Sequence, residues 1–400
     1  MNSTKQPSKI EKQNVKSLVF SGGGAWGFAY IGALKALENL SVLSSLTGIG
    51  GASAGSVTAF LVSCGYSSKE IMDLMSPTGK KSLIYMLLGE ELPEIENIFD
   101  NNKANFLEEI GEFFKDNFSH LTLPGLDVAA ANTLCFNLTL FAKEIMSERA
   151  AQLLRREFLT HTTFRRNLTD GLGIFKAQIF RDFLNEKMKE KMKGFSIENP
   201  DFITFREHRT FFKKDLYITG TNLDTRKAEL FSAQTTPNFP VADAVRISMS
   251  IPFFFQPVII QKDDEKHIRI QIGLNGESHL LKWDNPLMDI ESITGKWIDG
   301  GVEDNIPVFA FEKEQIFGLR VTPAHRTPGE NRLSRFLFEY IFSRFWPDES
   351  HISKTWGVAD RILLLDTGDV KPCEFDIDYK SERITDLLFK AEQLVLNYFH

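Results

Sequence analysis

Two short apolar runs, each closing on glycines, open the patterned part of the chain. Val15 to Phe20 is followed by Ser21-Gly22-Gly23-Gly24, which predicts a buried strand running into a tight turn. From Gly27 to Leu40 the spacing changes. Ala29, Ala33, Ala36, Leu37 and Leu40 recur at helical intervals. Thr47 to Ala52 predicts a second strand, and Ser53 to Cys64 a helix of small and apolar residues. Strand, turn and helix, twice in about 50 residues, predict an α/β domain with a mostly parallel central sheet.

The pattern changes from Pro77 to Leu168. Strand signals stop, and stripes such as Leu107, Ile110, Phe114 and Phe118 predict helices. Arg149, Arg155, Arg156, Arg165 and Arg166 alternate there with Leu153, Leu154, Phe158 and Leu159. Phe180, Leu184, Met188 and Met192 then predict a helix over Phe175 to Lys193. Strand signals return at Leu216–Thr219, Glu229–Ser232, Val258–Gln261 and Ile268–Ile272, the last two joined by the charged turn Asp263–Lys266. Trp297 to Gly301 reads as a strand end and glycine turn. Gln315–Arg320 and Arg361–Leu365 predict two more strands, and Ile384 to Tyr398 an amphipathic C-terminal helix. The expected organisation is a polar, disordered tail at 1–15, one domain made of 16–76 and 169–400, and a helical insertion at 77–168.

Composition narrows the partners. With 53 acidic and 46 basic residues the net charge is -7, which argues against a broad nucleic-acid surface. Three scattered cysteines, Cys64, Cys135 and Cys373, exclude a disulfide framework and suit a reducing compartment. The first residues lack the apolar stretch of a secretory signal, and no run is long enough to cross a bilayer. Of the 35 Phe residues, most belong in the core and some could face lipid.

Three motifs carry chemistry. Gly51-Ala52-Ser53-Ala54-Gly55 lies between a strand and a helix, the setting in which a sharp turn exposes a nucleophilic serine at a helix N-terminus. A glycine turn with a capping serine would read the same way. Gly22-Gly23-Gly24-Ala25-Trp26-Gly27 fits a dinucleotide loop, but the next strand ends without the acidic residue that ribose recognition wants. It equally fits a row of N–H groups aimed at an acyl oxygen, or a packing turn. Asp299-Gly300-Gly301 offers a base for the serine proton, or a common Asp-Gly turn. None of the eight histidines has a comparable setting: His208, like His325, His351 and His400, sits in polar sequence. No His/Cys cluster has metal spacing, so neither metal nor cofactor is expected.

Together, and in this order, the motifs resemble the patatin-like phospholipase family. Gly22 to Gly27 is similar to its oxyanion loop, Gly51 to Gly55 to its G-x-S-x-G, and Asp299 to Gly301 to its D-G-G/A. Ala244 to Pro252 and Leu364 to Gly368 resemble two further family segments. The resemblance implies a three-layer α/β/α fold and a Ser-Asp dyad. Ser53 would be the nucleophile and Asp299 the base. Gly22, Gly23 and Gly24 would be oxyanion donors, with Gly51 and Gly55 forming the elbow. It implies a membrane lipid substrate, peripheral membrane contact, and catalysis without calcium. It also implies a cytoplasmic protein or one delivered into a host cell, there awaiting a protein activator. A lipid transacylase and a non-catalytic lipid-binding regulator are the alternatives on the same scaffold. Two departures stand out. Trp26 replaces the family's basic residue, and 77–168 is longer than the usual connection, which fits a lid, a membrane-contact surface or an activator site.

Overall fold

A computed structural model describes residues 9–76, 79–93, 171–273, 276–285, 287–322, 357–372 and 374–400, with scattered positions between 95 and 167. Its strands are β1 (Ser17–Phe20), β2 (Gly48–Gly51), β3 (Gly173–Phe175), β4 (Asp215–Asn222), β5 (Lys227–Phe231), β6 (Phe253–Phe255), β7 (Val258–Lys262), β8 (His267–Ile272), β9 (Ser278–Lys282), β10 (Gly295–Asp299), β11 (Ile316–Thr322) and β12 (Ile362–Asp366). Its helices are α1 (Ala29–Asn39), α2 (Ala54–Ser63), α3 (Ser68–Met75), α4 (Leu83–Leu88), α5 (Gln178–Lys191), α6 (Phe205–Phe212), α7 (Val241–Ser248), α8 (Ile290–Ile293) and α9 (Glu382–Phe399).

The central sheet runs β12-β11-β1-β2-β4-β10-β7-β8-β9, with β5 also on β4. From β12 to β4 every pairing is parallel, as the alternation of strands and helices predicts. Beyond β4 every pairing is antiparallel: β7, β8 and β9 follow one another as hairpins, and β10 returns between β4 and β7. Helices flank the sheet in an α/β/α arrangement. Leu18 and Phe20 of β1 enter the larger core, while Val19 enters a smaller one with Ile306, Val308, Ile316 and Val358. That is the period-two alternation of a strand buried on both faces.

Some boundaries differ from expectation. Residues 9–15, assigned to the tail, include a buried Ile10 whose N–H donates to Tyr398 Oη at 3.3 Å. The helix expected from Phe175 begins only at Gln178: Phe175 closes β3, and Ala177, at a left-handed φ of 50°, separates β3 from α5. His208, expected in polar surroundings, is fully buried on α6 and its Nε2 lies 2.8 Å from Ser63 Oγ. Burial drives its pKa down to about 3, so it is neutral. Cys64 is buried and free. Most of the insertion, including Arg155 and Arg165, lies outside the described residues, as do Cys135, Cys373, His120, His161, His325 and His351. Among the described residues no helix is long and apolar enough to cross a membrane.

Candidate active site

β1 and β2 lie side by side in parallel, with Phe20 opposite Gly51. Their C-terminal ends therefore deliver the Gly22–Gly24 loop and Ser53 to one edge of the sheet, where open α/β sheets bind ligands. Ser53 takes φ 50° and ψ -126°, a strained conformation for a residue with a side chain. Two features hold it there. Its N–H donates to Ser248 Oγ at 2.9 Å, and α2 starts immediately after it. The flanking glycines are dictated by contact. A Cβ on Gly51 would lie 2.2 Å from the Gly55 carbonyl oxygen, and one on Gly55 would lie 2.5 Å from that of Phe20.

β4 brings the third motif into place. It pairs with β2 in parallel, Gly51 beside Ile218, and with β10 antiparallel, Asp299 beside Gly220. Asp299 thus ends its strand within reach of the elbow. Ser53 Oγ donates to Asp299 Oδ2 at 2.7 Å, and Gly301 N–H donates to Asp299 Oδ1 at 2.7 Å. The Asp299 N–H is tied to the Ser250 carbonyl at 3.0 Å. Both Ser53 and Asp299 are buried. Burial pushes the Asp299 pKa up to about 7, and the two hydrogen bonds offset only part of that rise.

The glycine loop differs in one respect from the expected donor set. Gly22 N–H already donates to Asn305, at 2.9 Å to its side-chain oxygen and 3.1 Å to its carbonyl. The Gly22 N–H is therefore occupied, which leaves Gly23 and Gly24 as the expected donors of the loop. Among the described residues their N–H groups meet no acceptor.

An apolar cavity opens on Ser53. It follows one face of α2 (Ala54, Val57, Thr58, Leu61) and one face of α1 (Tyr30, Ile31, Leu34). Ile71, Met75, Leu83, Leu87 and Phe180 line it further. Among the described residues no histidine lines it, and His208 bonds the opposite end of α2, roughly 15 Å along the axis from Ser53. Among the described residues no cluster of three metal-ligating side chains occurs.

Sequence reasoning did not find the supports. Ser248 and Arg246 lie in the recognised stretch 244–252 but had no assigned role. Arg246 is fully buried, donating to the Lys176 carbonyl at 2.6 Å, Ser250 Oγ at 2.6 Å and the Gln256 carbonyl at 3.0 Å. It fixes the end of α7, from which Ser248 reaches the elbow and the Ser250 carbonyl reaches Asp299. Asn305 had no local signal at all.

The family model for patatin-like phospholipases matches residues 18–311. The chain is 25% identical over 366 residues to YqhO of Bacillus subtilis (strain 168), covering 90% of each protein. It is 25% identical over 264 residues to R571 of Acanthamoeba polyphaga mimivirus, covering 66% of this chain and 60% of that one. Among solved structures it is similar to VipD from Legionella pneumophila, at a TM-score of 0.43 and 17% identity over 98% of this chain and 67% of the other. The ExoU–SpcU complex from the type III secretion system of Pseudomonas aeruginosa is similar at 0.38 and 17%, over 96% of this chain and 51% of the other. The family model spans the glycine loop, the elbow and the Asp299 turn that the sheet gathers at one edge, and it matches well over half of the sequence: the chain belongs to the patatin-like phospholipase family.

Proposed function

We propose that this protein is a serine acyl hydrolase of membrane lipids, with Ser53 as nucleophile and Asp299 as its base. Family membership supports a lipid hydrolase. The observation that carries the finer reading is the 2.7 Å hydrogen bond from Ser53 Oγ to a buried Asp299, at the mouth of an apolar cavity. Asp299 takes the hydroxyl proton as Oγ attacks the ester carbonyl. The C=O electron pair moves onto oxygen and is met by the Gly23 and Gly24 N–H groups. Collapse expels the lipid alcohol, which takes the proton back from Asp299. Water, deprotonated by the same carboxylate, then cleaves the acyl-enzyme and releases the fatty acid and Ser53.

A base with a pKa near 7 suits this role, since it both accepts and returns a proton at neutral pH. The cavity supports a lipid over a polar ester, because an acyl chain entering it along α1 and α2 would meet apolar side chains in place of water. Peripheral contact with a membrane, and a protein activator acting through 77–168, complete the reading. The test is release of fatty acid from mixed phospholipid vesicles, with and without eukaryotic cytosol, alongside labelling by a fluorophosphonate. Labelling at Ser53 with fatty-acid release supports it. Absence of both, under every condition, refutes it.

A further inference from the structure

The oxyanion loop is held from outside the part of the chain that the family model matches. After β12 the chain crosses back over the loop as a strap. Ala25 N–H donates to the Pro372 carbonyl at 2.6 Å, and Trp26 Nε1–H donates to the Val370 carbonyl at 2.6 Å. Gly24, at φ 58°, lies so close beneath the strap that a Cβ there would sit 2.0 Å from the Pro372 oxygen. The Trp26 ring is buried and backs onto Gly23, its Cε3 3.3 Å from where a Gly23 Cβ would be.

The strap is itself fastened. Thr367 N–H donates to the Thr322 carbonyl at 2.9 Å, continuing the β11–β12 pairing. Lys371 N–H donates to Glu374 Oε2 at 3.0 Å, and Arg383 of α9 holds the same carboxylate. Phe375 lines the cavity that opens on Ser53, and Tyr379 packs edge-on against Phe28, ring centroids 5.3 Å apart.

We propose that Trp26, where the family carries a basic residue, is the positioning residue of the oxyanion hole. Its indole N–H clamps the loop to the Val370 carbonyl and so fixes the direction of the Gly23 and Gly24 N–H groups. The proposal rests on the assignment of those two amides as oxyanion donors. The reason a clamp is needed is local. Glycines have wide conformational freedom, and donors aimed wrongly by about 1 Å lose most of their effect on a transition state. Gly22 is held by Asn305 on one side, and the strap holds Ala25 and Trp26 on the other.

The test replaces Trp26 by Phe and, to keep the ring volume, by the benzothiophene analogue of tryptophan, which lacks only the N–H donor. Hydrolysis of a small soluble ester and the rate of phosphonylation by a fluorophosphonate are measured with thermal midpoints. Loss of the clamp should lower kcat about 10- to 100-fold with KM within about twofold, and slow phosphonylation by a similar factor. The analogue should do so with an unchanged midpoint. If the analogue keeps kcat within about threefold of wild type, or if KM rises while kcat holds, Trp26 is a packing residue and the proposal fails. Ser53→Ala is the control. Should it retain hydrolysis, the active-site assignment itself fails, and the clamp with it.

Discussion

Two buried aspartates in this molecule have opposite chemistry. Asp299 and Asp243 are 2% and 3% exposed. Among the described residues Asp299 meets a hydroxyl and an amide but no cation, and its pKa is pushed up to about 7 by burial. For Asp243 on α7 burial also acts upward, but a two-pronged Arg181 overcomes it. Arg181 donates at 3.0 and 3.1 Å to the two carboxylate oxygens. His279 acts in the same direction, with Nε2 3.4 Å from Oδ2. The Asp243 carboxyl is held well below the usual range. Phe202 stacks on His279 and lies under the Arg181 guanidinium, which closes the cluster. Burial alone therefore does not make a carboxylate reactive. The partner decides whether the proton is available at neutral pH.

The sharpest challenge to this contrast is Ser53→Ala. Without the hydroxyl, hydrolysis should fall by about 1,000-fold or more while the fold persists, since little side-chain packing is lost. Fatty-acid release above a tenth of wild type would remove Ser53 from its role.

Asp299→Asn comes next, with a loss of roughly 100-fold or more in kcat, because an amide cannot accept the serine proton. The same variant should be no less stable at pH 8. The raised pKa means the folded state keeps a proton that the unfolded state has lost, so the wild-type carboxyl lowers stability progressively from about pH 4 to about pH 7. Urea titrations of both proteins across that range should show the wild type losing stability relative to the variant.

Asp243→Asn should reverse the pattern. It strands Arg181 in the interior and should destabilise by about 3 kcal/mol, with activity per folded molecule changed only a few-fold. The pH dependence has the opposite sign as well. The native Asp243 pKa is depressed, so its contribution is present above the unfolded value of 3.8 and is lost as pH falls below it. A variant that unfolds normally yet loses catalysis would mean that the two aspartates belong to one functional unit.

The smallest effect is the pH profile of the wild type. Activity on a soluble ester should follow ionisation of Asp299, falling about tenfold per unit below pH 7. A limb at pH 4 instead would place the carboxylate in a wetter site than the one described.

The elbow turn at Ser53, the strand end at Asp299 and the parallel half of the sheet were legible because each rests on local sequence. Apolar runs bounded by glycine define β1, β2 and β10. Gly51 is forced by the Gly55 carbonyl four residues on, whereas Gly55 is forced by the Phe20 carbonyl of the neighbouring strand; helical spacing marks α1 and α9. The antiparallel half was less complete: β9 is an edge strand of alternating burial, and no apolar run betrays it.

What holds the site depended on the tertiary structure. Asn305 takes the Gly22 amide from 283 positions away, Ser248 holds Ser53 from 195, and the Val370 carbonyl receives Trp26 from 344. One hydroxyl, one amide and one backbone carbonyl carry no periodicity that a sequence could display. The reactivity of Asp299 is of the same kind. A sequence shows that an aspartate is present, but its pKa comes from the water excluded around it and from a cation that stands beside Asp243 instead. Only the folded chain distributes those partners.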